Sequence, residues 1–149
     1  MQVTVHLKID EESFFAEIKK SILADIGEAR GKKAKASNVH AGYSFKRYLK
    51  GKRDEDHAAQ VRIVTWDPPR VYQSTVTTIS GVTTLTYQAE PSEGGGIDVT
   101  DSEEFEGFSA TQNALQKGIG AVKQIGARSG IKNQLHAIEG RVLAEQYAE

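Results

Sequence analysis

The sequence predicts an α+β fold: a curved antiparallel sheet of about six strands, a short helix near the N-terminus and a long helix at the C-terminus. Three observations predict it. Residues 3–9 alternate apolar and polar side chains, which is the period of a half-buried strand. Residues 14–26 place apolar side chains at steps of three and four, the period of an amphipathic helix. Residues 43–105 then hold segments rich in β-branched and aromatic residues, separated by turn signals at hairpin spacing, before a C-terminal third that reads as helix. Strands gathered into one run with helix at both ends favour an antiparallel sheet covered on one face over a sandwich with a helical appendix.

In chain order, Val3, Val5, Leu7 and Ile9 share one side of the first strand, and Thr4, His6 and Lys8 the other. Asp10 can cap a helix that opens with Glu11 and Glu12, both favourable at the positive end of the helix dipole. Phe14, Phe15, Ile18, Ile22 and Ile26 form its apolar face, and Gly27 to Gly31 should end it. Residues 30–42 are small, basic and polar, a linker with one short helical turn. Residues 43–50 then read as a strand with Tyr43, Phe45 and Leu49 in alternation. Four more strands follow near 61–66, 71–79, 82–90 and 96–105, punctuated by Asp67-Pro68-Pro69, Ser80-Gly81 and the segment from Pro91 to Gly96. A long terminal helix lying across such a sheet makes a helix-grip, which encloses a space between the two.

The stretch KGIGAVKQIGARSG, residues 117–130, is glycine-rich inside that last helix. Its spacing is neither GxGxxG nor GxxxxGK[ST], and what precedes it is helical, so it does not read as a phosphate loop. On a straight helix Leu115, Ile119 and Val122 share a face that Gly126 and Ser129 continue, whereas Ile131, Leu135, Ile138 and Val142 lie on a face rotated by roughly 160°. The helix therefore either kinks near Arg128-Ser129-Gly130 or is buried on different sides along its length. Each interior glycine costs about 1 kcal/mol against alanine, which close packing on the sheet, or a space left for a ligand, would offset.

Composition bounds the function. At 149 residues the chain is the size of one domain, taken as residues 1–149, and 19 Lys plus Arg nearly balance 20 Asp plus Glu. No global field draws the protein to nucleic acid. The absence of cysteine removes disulfides, thiolate metal sites and cysteine nucleophiles, and fits a reducing compartment. The N-terminus does not read as a signal peptide and no apolar run is long enough to span a bilayer, so a cytoplasmic location is expected.

The four histidines, His6, His40, His57 and His136, have no metal-ligand spacing, and no cofactor or metal is expected. Residues 30–53 are basic and residues 90–106 acidic. The expectation is two solvated faces, or attraction between neighbouring strands, in preference to nucleic-acid binding. Glu103 and Glu104 would point to opposite faces of a strand, which weakens a carboxylate pair, and no serine nucleophile motif occurs. A carbon-rich cavity with hydroxyl groups is easier to support, because Tyr72, Val76, Leu85 and Tyr87 alternate with Thr75, Thr77, Thr83, Thr84 and Thr86.

The segments FFAEIKKSILADIGEARGKKA (14–34), GYSFKRYL (42–49) and RSGIKNQLHAIEGRV (128–142) resemble the domain of unknown function 3284 family, a set of small bacterial proteins without established catalytic residues. The resemblance covers nearly the whole chain and implies a START-like, polyketide-cyclase-like helix-grip fold, a class that binds lipids, hormones and polyketides under its long helix and includes some cyclases and hydrolases. The expectation is a protein that binds a small apolar or amphipathic ligand between sheet and C-terminal helix, through Trp66, Tyr72 and Tyr87 from the sheet and Ile119, Val122 and Gly126 from the helix. Two alternatives stand beside it. One is an interaction module, such as a homodimer, meeting its partner through Ile131, Leu135, Ile138 and Val142. The other is a cyclase- or hydrolase-type enzyme using carboxylates or tyrosines in the cavity.

Overall fold

A computed structural model describes residues 1–48, 57–108 and 130–147. Strand β1 (Gln2–Leu7) is followed by helix α1 (Glu11–Arg30), a 3-10 turn (Ala36–Asn38), and strands β2 (Ser44–Tyr48), β3 (Ala58–Asp67), β4 (Val71–Thr77), β5 (Gly81–Pro91) and β6 (Ile97–Gly107). Residues 130–147 are helical and are called α2. The six strands form one curved antiparallel sheet in the order β1-β6-β5-β4-β3-β2.

Local chemistry accounts for each element. The alternation in β1 buries Val3, Val5 and Leu7 and exposes Gln2, Thr4 and His6. Asp10 caps α1 by accepting a hydrogen bond from the Ser13 backbone N–H at 2.7 Å. The helix runs 20 residues and stops within the expected window, since Gly27 keeps helical geometry and the stop falls at Gly31, whose φ of 69° is left-handed. At the start of β5, Gly81 has a φ of 158° and sits so close to β6 that a Cβ there would lie 2.3 Å from the Glu106 carbonyl oxygen. Only glycine fits that approach.

The register separates two faces. Thr4 meets Thr100 at 3.0 Å, His6 meets Asp98 at 3.0 Å and Gln73 donates to Thr86 at 3.0 Å, all on the outer, polar face. The inner face carries Val3, Val5, Leu7, Phe45, Val61, Ile63, Ala89, Ile97 and Val99, and these join the α1 residues Phe14, Phe15, Ile18, Ile22 and Ile26 in one core cluster. Between Ile63 and Thr65 the pairing with β4 slips by one residue, leaving Val64 as a bulge that is exposed.

Helix α2 buries Ile131, Leu135, Ile138 and Val142 in the same core. The stripe expected to meet a partner is thus covered within the chain, which removes the surface on which self-association rested. Polar clasps reinforce the packing. The buried Glu17 carboxylate accepts from Lys20 at 3.0 Å and from Arg141 at 3.4 Å, Lys20 also reaches Glu145 at 3.1 Å, and the Lys8 backbone N–H donates to Glu139. Burial alone would raise the Glu17 pKa, but the hydrogen bonds and charges of Lys20 and Arg141 together hold it below the usual range.

Other expectations need correction. At Gly130 and Gly140 a Cβ would meet nothing within 4 Å, so close packing does not explain these two glycines. The basic strand β2 and the acidic strand β6 are not neighbours in the sheet, so they do not attract one another; Arg47 instead pairs with Asp25 of α1 at 3.5 Å. Leu49 and Lys50, the face Leu115, Ile119, Val122 and Gly126, and the proposed break at Arg128-Ser129 lie outside the described residues.

Leu135→Ala should lower stability by about 2–5 kcal/mol, since Leu135 is 1% exposed, while His136→Ala, exposed one residue further on, should change it by less than about 0.5 kcal/mol. Urea unfolding at two protein concentrations checks this, and the midpoints should not depend on concentration.

Candidate functional site

The antiparallel register lays the inner face out in rows. One row runs Trp66, Tyr72, Tyr87, Asp101, Val3 across β3, β4, β5, β6 and β1. On one side of it lie Val5, Val99 and Ala89, then Leu7 and Ile97, all buried. On the other side come Ile63, Ser74, Leu85 and Glu103, then Phe45, Val61, Val76, Thr83 and Phe105. There burial is uneven. Phe45, Val61 and Ile63 on β2 and β3 and Ser74 on β4 are buried, whereas Leu85, Glu103, Val76, Thr83 and Phe105 on β4 to β6 are only half-buried. The inner face is therefore buried at one end and less deeply buried beyond the Tyr87–Asp101 row.

The bulge at Val64 decides the orientation of Trp66. Val61 and Ile63 face inward, so strict alternation would turn Thr65 inward and Trp66 outward. The extra residue puts Thr65 opposite Gln73 and Trp66 opposite Tyr72. Edge-to-face contacts then lock the aromatic group: Phe15 to Trp66 with centroids 5.9 Å apart, Trp66 to Tyr72 at 5.7 Å and Phe14 to Tyr87 at 6.1 Å. Tyr72 and Tyr87 stack at 6.4 Å. Burial raises the pKa of both phenols, although the Ser74 hydroxyl, hydrogen-bonded to Tyr72, partly offsets it there. Both stay neutral hydroxyl groups at physiological pH.

Asp101 is the unusual member of the row. It is 2% exposed, it is hydrogen-bonded to Tyr87, and its Oδ1 has no hydrogen-bond partner among the described residues. Burial first, and the nearby Glu103 charge second, push its pKa up to about 7, against the opposing pull of Tyr87 and the N-terminal ammonium. That ammonium donates to the Glu103 backbone oxygen at 2.8 Å. An unpaired oxygen in such a place costs about 1–3 kcal/mol. Across the sheet, burial also raises the pKa of Asp25, with Arg47 acting in the opposite direction.

Of the residues expected to bind a ligand, Trp66, Tyr72 and Tyr87 come together in one row, and Ile119, Val122 and Gly126 lie outside the described residues. Trp66 also borders a surface cleft of ≈ 300 Å³ between α1 and the β3–β4 turn, with Phe15, Pro68 and Pro69. Sequence reasoning missed Asp101. The signal was present, because Ile97, Val99, Asp101, Glu103 and Phe105 share one strand phase, but the acidic run around it reads as a solvated face. Among the described residues no three acidic or histidine side chains cluster as metal ligands, and no helix is long and apolar enough to cross a membrane.

Comparison with known proteins agrees with this architecture. The family model for Domain of unknown function (DUF3284) matches residues 1–122. No curated protein matches the sequence. Among solved structures, truncated norcoclaurine synthase from Thalictrum flavum has 8% identity over 96% of this chain and 92% of its own, with a TM-score of 0.62. The Polyketide_cyc-like protein from Corynebacterium glutamicum has 17% identity over 98% and 92%, with a TM-score of 0.59. Ara h 8.0201 has 15% identity over 97% of both chains, with a TM-score of 0.58. At these identities the likeness is one of fold.

The raised Asp101 pKa fixes the sign of a stability effect. The folded state holds this proton more tightly than the unfolded chain, so the contribution of Asp101 is best near pH 4 and is lost as pH rises to about 7. Asp101→Asn should therefore be more stable than the parent by about 2–4 kcal/mol at pH 8, and the gap should close towards pH 4. Denaturant titrations at several pH values measure it.

Proposed function

The chain belongs to the DUF3284 family and has the START-like helix-grip fold, and on that premise we propose that it binds a small, partly apolar molecule in a hollow over the half-buried part of the inner face of its sheet. The observation that carries this reading is the buried Asp101 carboxyl, with one oxygen unpartnered, placed where the filled end of the inner face gives way to half-buried side chains. A folded protein normally pairs such a group or replaces it. A ligand that donates to Asp101 would remove the cost of the empty oxygen, and Leu85, Val76 and Phe105 would receive its apolar part. Tyr72 and Tyr87 offer hydroxyl groups beside aromatic carbon, the mixture by which small-molecule sites fix orientation. Trp66 extends the same row. What the helix-grip structures named above act on is not carried over, since the likeness to them is in fold.

A second reading, acid–base catalysis in the same hollow, is favoured by one observation: the Asp101 pKa is pushed up to about 7, where a carboxyl can both give and take a proton. Turnover of a bound molecule, lost in Asp101→Asn while binding persists, would establish it over simple carriage. Failure of any bound molecule to change chemically leaves the carrier reading in place.

Trp66 is the only tryptophan, so its emission reports on the row it belongs to. A panel of amphipathic molecules screened by Trp66 fluorescence and thermal shift should contain binders that raise Tm by about 5–10 °C at a hundredfold excess over Kd. Thr83→Phe, which would fill the hollow from β5, should abolish that shift without lowering the melting temperature of the free protein. Equal ligand response in the filled variant would move the site elsewhere.

A further inference from the structure

Among the described residues, the side-chain charges that face the proposed hollow from the sheet are carboxylates. Asp101 and Glu103 face it from β6 on the same strand phase, Asp101 buried and Glu103 half-buried. Two described cations oppose them only in part: the N-terminal ammonium, which donates to the Glu103 backbone oxygen at 2.8 Å, lowers the Asp101 pKa without offsetting its burial, and Arg47, across the sheet on β2, pairs with Asp25 at 3.5 Å. The hydroxyl neighbours, Tyr87 beside Asp101 and Tyr72 beyond it, are neutral and supply no charge. Resting on the reading of the hollow as a ligand site, we infer that its ligand is a small amphipathic amine, whose ammonium sits on Asp101 with Glu103 beside it and whose apolar part lies against Leu85, Val76 and Phe105.

Head groups differ in what they bring to this place. A ligand carboxylate would add a third negative charge to a poorly solvated place and is repelled. A hydroxyl donates one hydrogen bond to the empty Oδ1 but leaves the second carboxylate uncompensated. An ammonium has three donors and a positive charge, so it satisfies Oδ1, neutralises Asp101 and attracts Glu103 at once, and hydrogen bonds with charge on both partners are the stronger kind. The high cost of an uncompensated carboxylate in this position is then recovered on binding, which ties affinity to the cation and not to the length of the apolar tail alone. When Asp101 carries its proton, seating the ammonium releases that proton to solvent.

The test uses three probes that differ only in head group, n-octylamine, n-octanol and sodium octanoate, titrated into the full chain at pH 8 and followed by Trp66 emission and calorimetry. The amine should bind about tenfold or more tightly than the alcohol, with octanoate weakest, and Asp101→Asn should bring the amine down to the level of the alcohol while leaving the alcohol unchanged. Alcohol or octanoate binding as well as the amine would overturn the amine inference and leave the hollow a binding site. Amine binding that survives unchanged in Asp101→Asn would overturn it too. If none of the three binds, the inference falls together with the reading of the hollow on which it rests.

Discussion

The structure depends on strand register. In an antiparallel sheet a slip of one residue exchanges the two faces of a strand, and here the same slip, taken once at Val64, is what brings Trp66 into line with Tyr72, Tyr87 and Asp101. Everything inward of that row follows. Phe14 and Phe15 at the start of α1 meet rings that the register has turned towards them, and the Asp10 cap fixes where the helix begins relative to those rings. Gly81, pressed against the backbone of β6, lets β5 and β6 stay paired along their length.

Against that ordered frame, the inner face holds two opposed tendencies. Apolar side chains from β1, β6, α1 and α2 close one end of it, and the closure is reinforced where the buried Glu17 carboxylate joins α1 to α2 through Arg141. The exposed pair between Lys20 and Glu145 adds little, as surface ion pairs do. Asp101 works against closure, since it places a carboxyl with an empty oxygen at the margin of the packed end. Glu17 and Asp101 are both buried acids, but Glu17 has cations to accept from and Asp101 has a phenol alone among the described residues. That contrast separates a structural carboxylate from one that a ligand can complete.

Much of the fold was legible because it rests on periodicity. Val3, Val5 and Leu7 declared β1, Asp10 declared the helix start, and the steps Phe14, Ile18, Ile22, Ile26 declared its buried face. The stripe Ile131, Leu135, Ile138, Val142 was legible as a face but not as to what covers it, since periodicity says only that a face is buried. Trp66, Tyr72 and Tyr87 were chosen for their chemistry, and the row they form depends on a bulge that no residue type announces. Asp101 was hidden by its surroundings: an acidic residue in an acidic stretch suggests solvent, and only its phase with Ile97 and Val99 points inward.

Asp101 is a buried acid on the inner face, its Oδ1 without a partner among the described residues, and the proposed site requires it to take a donor from outside the chain. Carbon-13 NMR of the Asp101 carboxyl across pH 3–9 tests it most directly. A midpoint at about 7 in the free protein, moving down when n-octylamine is bound, is the expected result. A midpoint near 4, the ordinary aspartate value, indifferent to added amine, would contradict it.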